Sequence, residues 1–215
     1  MNKQMKKTAL AAAFVLLAGA SKAEPLSWTE VGLGYNRVDA GDESVDAFDI
    51  KGSIGFANLF HAQFSYLDGS EGGSNGIDFD GYEIRAGVHP TVGEKTQAVV
   101  DLIYFDYSAD PDFCPSCDFS EDGWGLGFGI RHQMGDQFEA RAQIDYFDGS
   151  FDCNGCTSSD FNNTTYSFGG RYYWMPNLFT GVTITLNGLE GLSVADFDGD
   201  ALRLDVGWSF GADVL

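Results

Sequence analysis

From Leu202 to Phe210 the side chains alternate without a break. Leu202, Leu204, Val206, Trp208 and Phe210 share one parity, and Arg203, Asp205, Gly207 and Ser209 share the other. A period of two is that of an extended strand, whose successive side chains point to opposite faces. Ten such segments run between Val31 and Phe210, near 29–36, 48–56, 60–67, 79–88, 98–105, 123–133, 138–147, 164–174, 178–186 and the last ending at Phe210. A soluble sheet hides its apolar face and wets the polar one. A transmembrane barrel turns the apolar face to lipid and the polar face to a lumen. Ten is an even number, as single-chain bacterial barrels require, and eight is the fallback count. The pattern therefore predicts an all-β fold, a closed antiparallel transmembrane β-barrel. The fifth segment is the least clean, because Val99, Ile103 and Phe105 are apolar on the face opposite Ala98, Val100, Leu102 and Tyr104.

The chain begins with features of an export signal. Lys3, Lys6 and Lys7 precede an apolar run from Ala9 to Leu17, and Ser21-Lys22-Ala23 offers small residues for cleavage after Ala23. That run is too short for a membrane-spanning helix, which takes about 20 residues. Residues 1–23 are read as a signal peptide and 24–215 as one outer-membrane barrel domain reached through the periplasm. Links near 57–59, 134–137 and 175–177 are tight and 89–97 is of medium length, whereas those near 37–47, 68–78, 106–122, 148–163 and 187–200 are long. Short periplasmic turns and long outer loops are the asymmetry of such barrels.

The polar faces hold the chemistry. Glu30, Asp49, Lys51, Glu83, Arg85, Asp101, Arg131, Glu139, Arg141, Asp145, Arg171, Arg203 and Asp205 all take the parity away from lipid. An Arg or Lys facing lipid at mid-membrane costs about 2–4 kcal/mol. Inside a lumen the two signs can pair, and an isolated buried charge is costlier still. Two readings follow: an ion-pair network plugging a narrow lumen, or a charged lining of an ion-selective pore. Bulky Phe105, Phe147, Tyr173 and Phe179 share the inward parity, which favours the plug, since small barrels are filled by side chains.

The formal charge is −20, and loss of the four signal lysines takes it to −24. Such a chain lacks the basic footprint that nucleic acid demands. The acids concentrate in the long links and at their edges, among them Asp46, Asp68, Asp78, Asp110, Glu121, Asp122, Asp148, Asp152 and Asp160, with Arg37 as the one base there. Ca²⁺ or Mg²⁺ suits dense carboxylates. The best local cation candidate is Asp196-Phe197-Asp198-Gly199-Asp200, but it lacks the downstream bidentate Glu of an EF-hand. A solvated acidic surface that opposes aggregation is the plainer reading, and no other cofactor is expected.

Cys114-Pro115-Ser116-Cys117 and Cys153-Asn154-Gly155-Cys156 fall in two outer links flanking one hairpin. Passage through an oxidising compartment favours disulfides. A four-thiolate zinc site is the alternative, and a redox role lacks the helix N-terminus that activates a thiol. His61, His89 and His132 each fall beside a short turn. They read as polar residues of the inner interface, and no outer acid–base pair with His can be assembled. No enzyme activity is expected.

With its export signal, its Trp124-Gly-Leu-Gly-Phe-Gly-Ile130 repeat and its final Trp208-Ser-Phe210, the mature chain resembles small outer-membrane β-barrel proteins of Gram-negative bacteria. The resemblance implies insertion by the barrel-assembly machinery, directed by a final aromatic, and contact with outer-membrane lipid and lipopolysaccharide. Gly211 to Leu215 after Phe210 departs from that ending. Leu26-Ser-Trp-Thr-Glu-Val-Gly-Leu-Gly-Tyr35 and Asp46-Ala-Phe-Asp-Ile-Lys-Gly-Ser53 look like a quorum-regulated gamma-proteobacterial barrel family. That resemblance implies a surface or vesicle-borne barrel without established enzyme activity. Two functional classes remain: a structural or surface-interaction barrel, and a narrow porin-like channel for small ions or solutes.

Overall fold

The computed structural model describes residues 26–40, 43–70, 76–111, 118–154, 157–187 and 200–210. The segments at 1–25, 112–117 and 188–199, which hold the signal peptide, Cys114, Cys117, Asp196 and Asp198, lie outside the described residues, as does Cys156. The elements are β1 (Glu30–Ala40), β2 (Glu43–Phe56), β3 (Phe60–Ser70), β4 (Ile77–Val88), β5 (Thr91–Gly93), β6 (Thr96–Pro111), β7 (Phe119–Met134), β8 (Phe138–Cys153), β9 (Ser159–Tyr173), β10 (Leu178–Asn187) and β11 (Asp200–Ser209). Ten of these form the barrel wall. The short β5 is a piece of the medium-length turn, pairing with the start of β6.

Each long strand pairs antiparallel with its neighbours in the chain, β4 pairs with β6 past β5, and β1 pairs with β11. Val31 lies opposite Trp208 and Tyr35 opposite Leu204, so the first and last strands close the ring. Closure leaves no open edge, which a membrane-embedded sheet requires because lipid cannot satisfy backbone N–H and C=O groups.

The outward face is apolar. Leu33 is 59% exposed, Phe48 69% and Trp124 57%, whereas inward Ile103 and Phe179 are 0% and 1% exposed. An all-round apolar exterior of this extent is a lipid surface. It is bounded by two aromatic belts. Tyr82, Tyr104 and Trp124 touch in sequence on the outer side, with ring separations of 6.1 and 5.0 Å. Phe56 with Phe60, and Tyr172 with Trp174, mark the side of the short turns. The ambiguous fifth segment (now in β6) resolves by parity: Val99, Ile103 and Phe105 are buried inward while Val100 and Leu102 are exposed.

The strands outrun the sequence expectation at their outer ends. The segment expected at 123–133 spans Phe119–Met134, and that at 138–147 spans Phe138–Cys153. Beyond the aromatic belt the outward face meets water, so Ser120 and Asp122 replace the apolar stripe while the backbone ladder continues. Hence Asp46, Asp68, Asp78, Asp110, Glu121, Asp122, Asp148, Asp152 and Asp160, expected in loops or at their edges, stand on strands. Several acids face each other in register on adjacent strands, including Asp78 with Asp110 and Asp106 with Asp122.

Candidate functional site

The lumen is where the charged parity converges. Long side chains fit because their neighbours are often glycine. A Cβ at Gly34 would overlap the Asp49 carboxylate and crowd Arg203, and one at Gly127 would meet Asp145. The apolar–Gly repeat of β7 therefore has two causes, a lipid-facing stripe and room for inward charges on β8.

Most of the lumenal charges pair. Arg85 donates to Glu83 from Nε at 2.6 Å and to Asp145 from Nη2 at 3.0 Å, with Asp101 at 3.7 Å. Arg131 forks onto Glu139 at 2.8 and 3.1 Å. Glu139 is fully buried and also accepts from Arg141 Nε and, at 2.8 Å, from the Tyr173 hydroxyl. Arg171 forks onto Glu30 at 2.6 and 2.9 Å and lies 3.9 Å from Asp205. Arg203 pairs with Asp49 at 2.9 Å. Two-point Arg–carboxylate contacts are the strong kind, and they offset part of the cost of removing both charges from water. Lys51 departs from the expected network. It lies inside, but none of the ion pairs or hydrogen bonds among the described residues involves it.

The histidines correct the sequence reading. His61 and His89 are not interfacial: each is 1% exposed, enclosed in the lumen. His61 Nε2 contacts Asp101 at 2.7 Å, and its Nδ1 lies 3.2 Å from His89 Nδ1. Trp28 stacks on both rings, at 3.8 and 4.9 Å, and Arg131 sits 4.4 Å from the centre of the Trp28 ring. The Trp28 indole N–H donates to Gln97 and its carbonyl accepts from Ser53. The residues just before β1 thus fold into the short-turn end of the lumen. Parity carried this signal: His61 alternates with outward Phe60 and Ala62, and Trp28 shares the parity of Glu30. Only His132 stays at the rim, exposed and bonded to Thr96.

The outer half of the lumen holds a cluster of rings. Phe105 meets Phe147 edge-on at 5.4 Å, Tyr107 at 5.9 Å and Phe161 at 6.1 Å. Beside Trp28 lies a cavity of about 200 Å³, lined by Lys51, Arg85, Arg141 and Arg203 and by the carboxylates of Glu83, Asp101, Asp145 and Asp205.

The outer rim carries the remaining acids. Tyr35 donates to Asp46 at 2.6 Å, Tyr66 to Asp80 and Tyr82 to Asp106 at 3.1 Å each. These pairs tie the aromatic belt to the acidic band above it. Of the expected cation ligands only Asp200 is described, at the start of β11 and opposite Asp39. Among the described residues no group of His, Cys, Asp and Glu is arranged to hold a metal. Cys153 is the one described cysteine and is not a free thiol. It lies opposite Phe119, and Asn154 donates to the Asp118 carbonyl at 3.1 Å.

Comparison with known proteins agrees with this architecture. The translocator domain of the autotransporter NalP from Neisseria meningitidis superposes with a TM-score of 0.52 at 12% identity, covering 96% of this chain and 95% of that one. The NanC porin gives 0.47 at 11% identity, with 86% and 100% coverage. The KdgM porin gives 0.42 at 13%, with 83% and 99%. At such identities the likeness concerns the fold alone, and the first match carries it. No curated protein matches the sequence. The family model described as outer membrane protein beta-barrel domain matches residues 8–173. With most of its length matched and its apolar exterior closed into a ring, the chain belongs to the outer membrane protein β-barrel domain family and resides in the outer membrane.

Proposed function

We propose that this protein is a closed outer-membrane barrel that acts at the cell surface as a structural or interaction protein, and neither conducts nor catalyses. The observation that carries the reading is the cross-lumen pairing. Arg85 on β4 reaches Asp145 on β8, and Arg171 on β9 reaches Glu30 on β1, each pair spanning two intervening wall strands. The ring cluster above and Trp28 below support this closed reading. Small barrels of this kind are packed cores.

What remains for function is the outer end. Its strand extensions lift exposed Asp68, Asp110 and Asp152 above the aromatic belt, a surface suited to a cationic partner. One CxxC segment, 114–117, precedes β7 in the chain and the other, 153–156, starts at the last residue of β8, and export through an oxidising compartment favours disulfide bracing over zinc. Thiol titration of the denatured, unreduced protein separates these: four free thiols with stoichiometric zinc in the native protein would remove the disulfide reading. The lipid-facing side meets outer-membrane lipid and lipopolysaccharide.

The test of closure is conductance of the refolded protein in planar bilayers. No discrete steps are expected. Defined, reproducible current steps from the wild type would replace this reading with that of a narrow channel, which the mid-lumen cavity favours.

A further inference from the structure

We infer that the lumenal cavity beside Trp28 is a binding site for a small oxyanion, with the Lys51 ammonium as its anchor. Every lumenal carboxylate described above is already engaged by an arginine or by His61. Lys51 is the one charged residue lining the cavity without an ion pair among the described residues, and Arg203, Arg171, Arg85 and Arg141 line the same wall. A second group is also unsatisfied: the Nη2 of Arg141 is buried, lines the same cavity and has no hydrogen-bond partner. Glu83, Asp101, Asp145 and Asp205 also line the cavity, but each is held by Arg85, His61 or Arg171, so Lys51 is the cation there left without a counter-charge. A buried charge and a buried unpaired donor are each costly. One anion accepting from both removes both costs.

The cavity, about 200 Å³, has room for a tetrahedral oxyanion or a carboxylate with a few waters, each water taking about 30 Å³ in the liquid. Ser167 and Thr185 lie on its wall, and their hydroxyls are bonded to each other at 2.9 Å, which leaves one O–H as a neutral donor. An oxyanion is preferred to a halide because several oxygens can accept from Lys51 and the Arg141 fork together. The inference stands apart from conductance, since a closed lumen can hold a resident anion.

The test is equilibrium dialysis of the refolded protein in detergent with radiolabelled phosphate and sulfate, at ionic strength fixed with chloride. Saturable binding near one per chain is expected. Lys51→Met should weaken it about tenfold or more, the scale of one charge-assisted hydrogen bond. Lys51→Arg should retain binding, and Lys95→Met, in an exposed turn, should match the wild type. Absence of saturable binding by the wild type overturns the inference. So does Lys51→Met binding as the wild type does, or chloride competing as well as sulfate. If Lys51→Met fails to fold, the wild type and Lys51→Arg decide the matter.

Discussion

Arg171 and Glu30, separated by 141 positions in the chain, form a two-point ion pair inside the barrel at 2.6 and 2.9 Å. The pair links β9 to β1 past β10 and β11, so it fastens one part of the wall to another as well as filling space. Glu30→Gln leaves the guanidinium buried without its counter-charge. The expected loss is about 3–5 kcal/mol, read as a lower urea midpoint for unfolding from lipid vesicles. Replacing both residues by apolar ones of similar volume should cost less, the remaining loss coming from Asp205, which loses its contact with Arg171. Equal losses for the single and double variants would show that packing, and not charge pairing, sets the cost.

His61 and His89 bring their Nδ1 atoms to 3.2 Å. At that distance one nitrogen donates and the other accepts, so both rings cannot be protonated without breaking the contact. Acidification sufficient to protonate both rings is therefore expected to break the contact and lower stability. Trp28 stacks on both rings and reports the change. Its fluorescence should shift on acidification in the wild type and lose that response in His89→Ala. An identical response in both proteins would assign the effect to another group.

The outer rim makes a prediction about salt. Asp106 faces Asp122, and Asp78 faces Asp110, in register on adjacent strands. Like charges directly opposite on a sheet are destabilising, by roughly 0.2–1 kcal/mol per pair. Raising ionic strength from about 10 mM towards 150 mM shortens the Debye length to near 8 Å. Protection of the β6–β7 outer backbone in hydrogen exchange should rise with it. Asp122→Asn should raise protection at low salt and flatten the dependence. Salt-independent exchange in the wild type would mean that other contacts hold this end.

Face and closure were legible in the sequence because both follow from a period of two. Inward or outward parity of Arg131, Glu139 or Asp205 needs nothing beyond counting from the apolar stripe. The partners of these residues were not legible. Strand tilt and stagger in a barrel shift each strand relative to its neighbours, so Arg203 finds Asp49 and not a carboxylate nearer in sequence. The outer ends of β7 and β8 were invisible for another reason. Above the lipid both faces are wet, and alternation carries no signal there although hydrogen bonding continues. His61 and Trp28 were legible by parity, but nearness to a turn is a weaker guide than face.

The final prediction locates the end of the lipid along one strand. Leu126 and Ser120 point outward on β7, below and above Trp124, opposite Tyr146 and Asp152 of β8. Leu126→Arg places a guanidinium in the apolar band, at an expected cost of about 2–4 kcal/mol. Ser120→Arg places the same group beyond the belt beside the Asp152 carboxylate. Its cost should be within about 0.5 kcal/mol of zero, as for an ordinary surface change. Refolding into phospholipid vesicles followed by urea unfolding measures both. A large loss for Ser120→Arg would bring the lipid above Trp124 and shorten the extracellular projection of β7. A negligible loss for Leu126→Arg would contradict the lipid-facing assignment of the whole stripe.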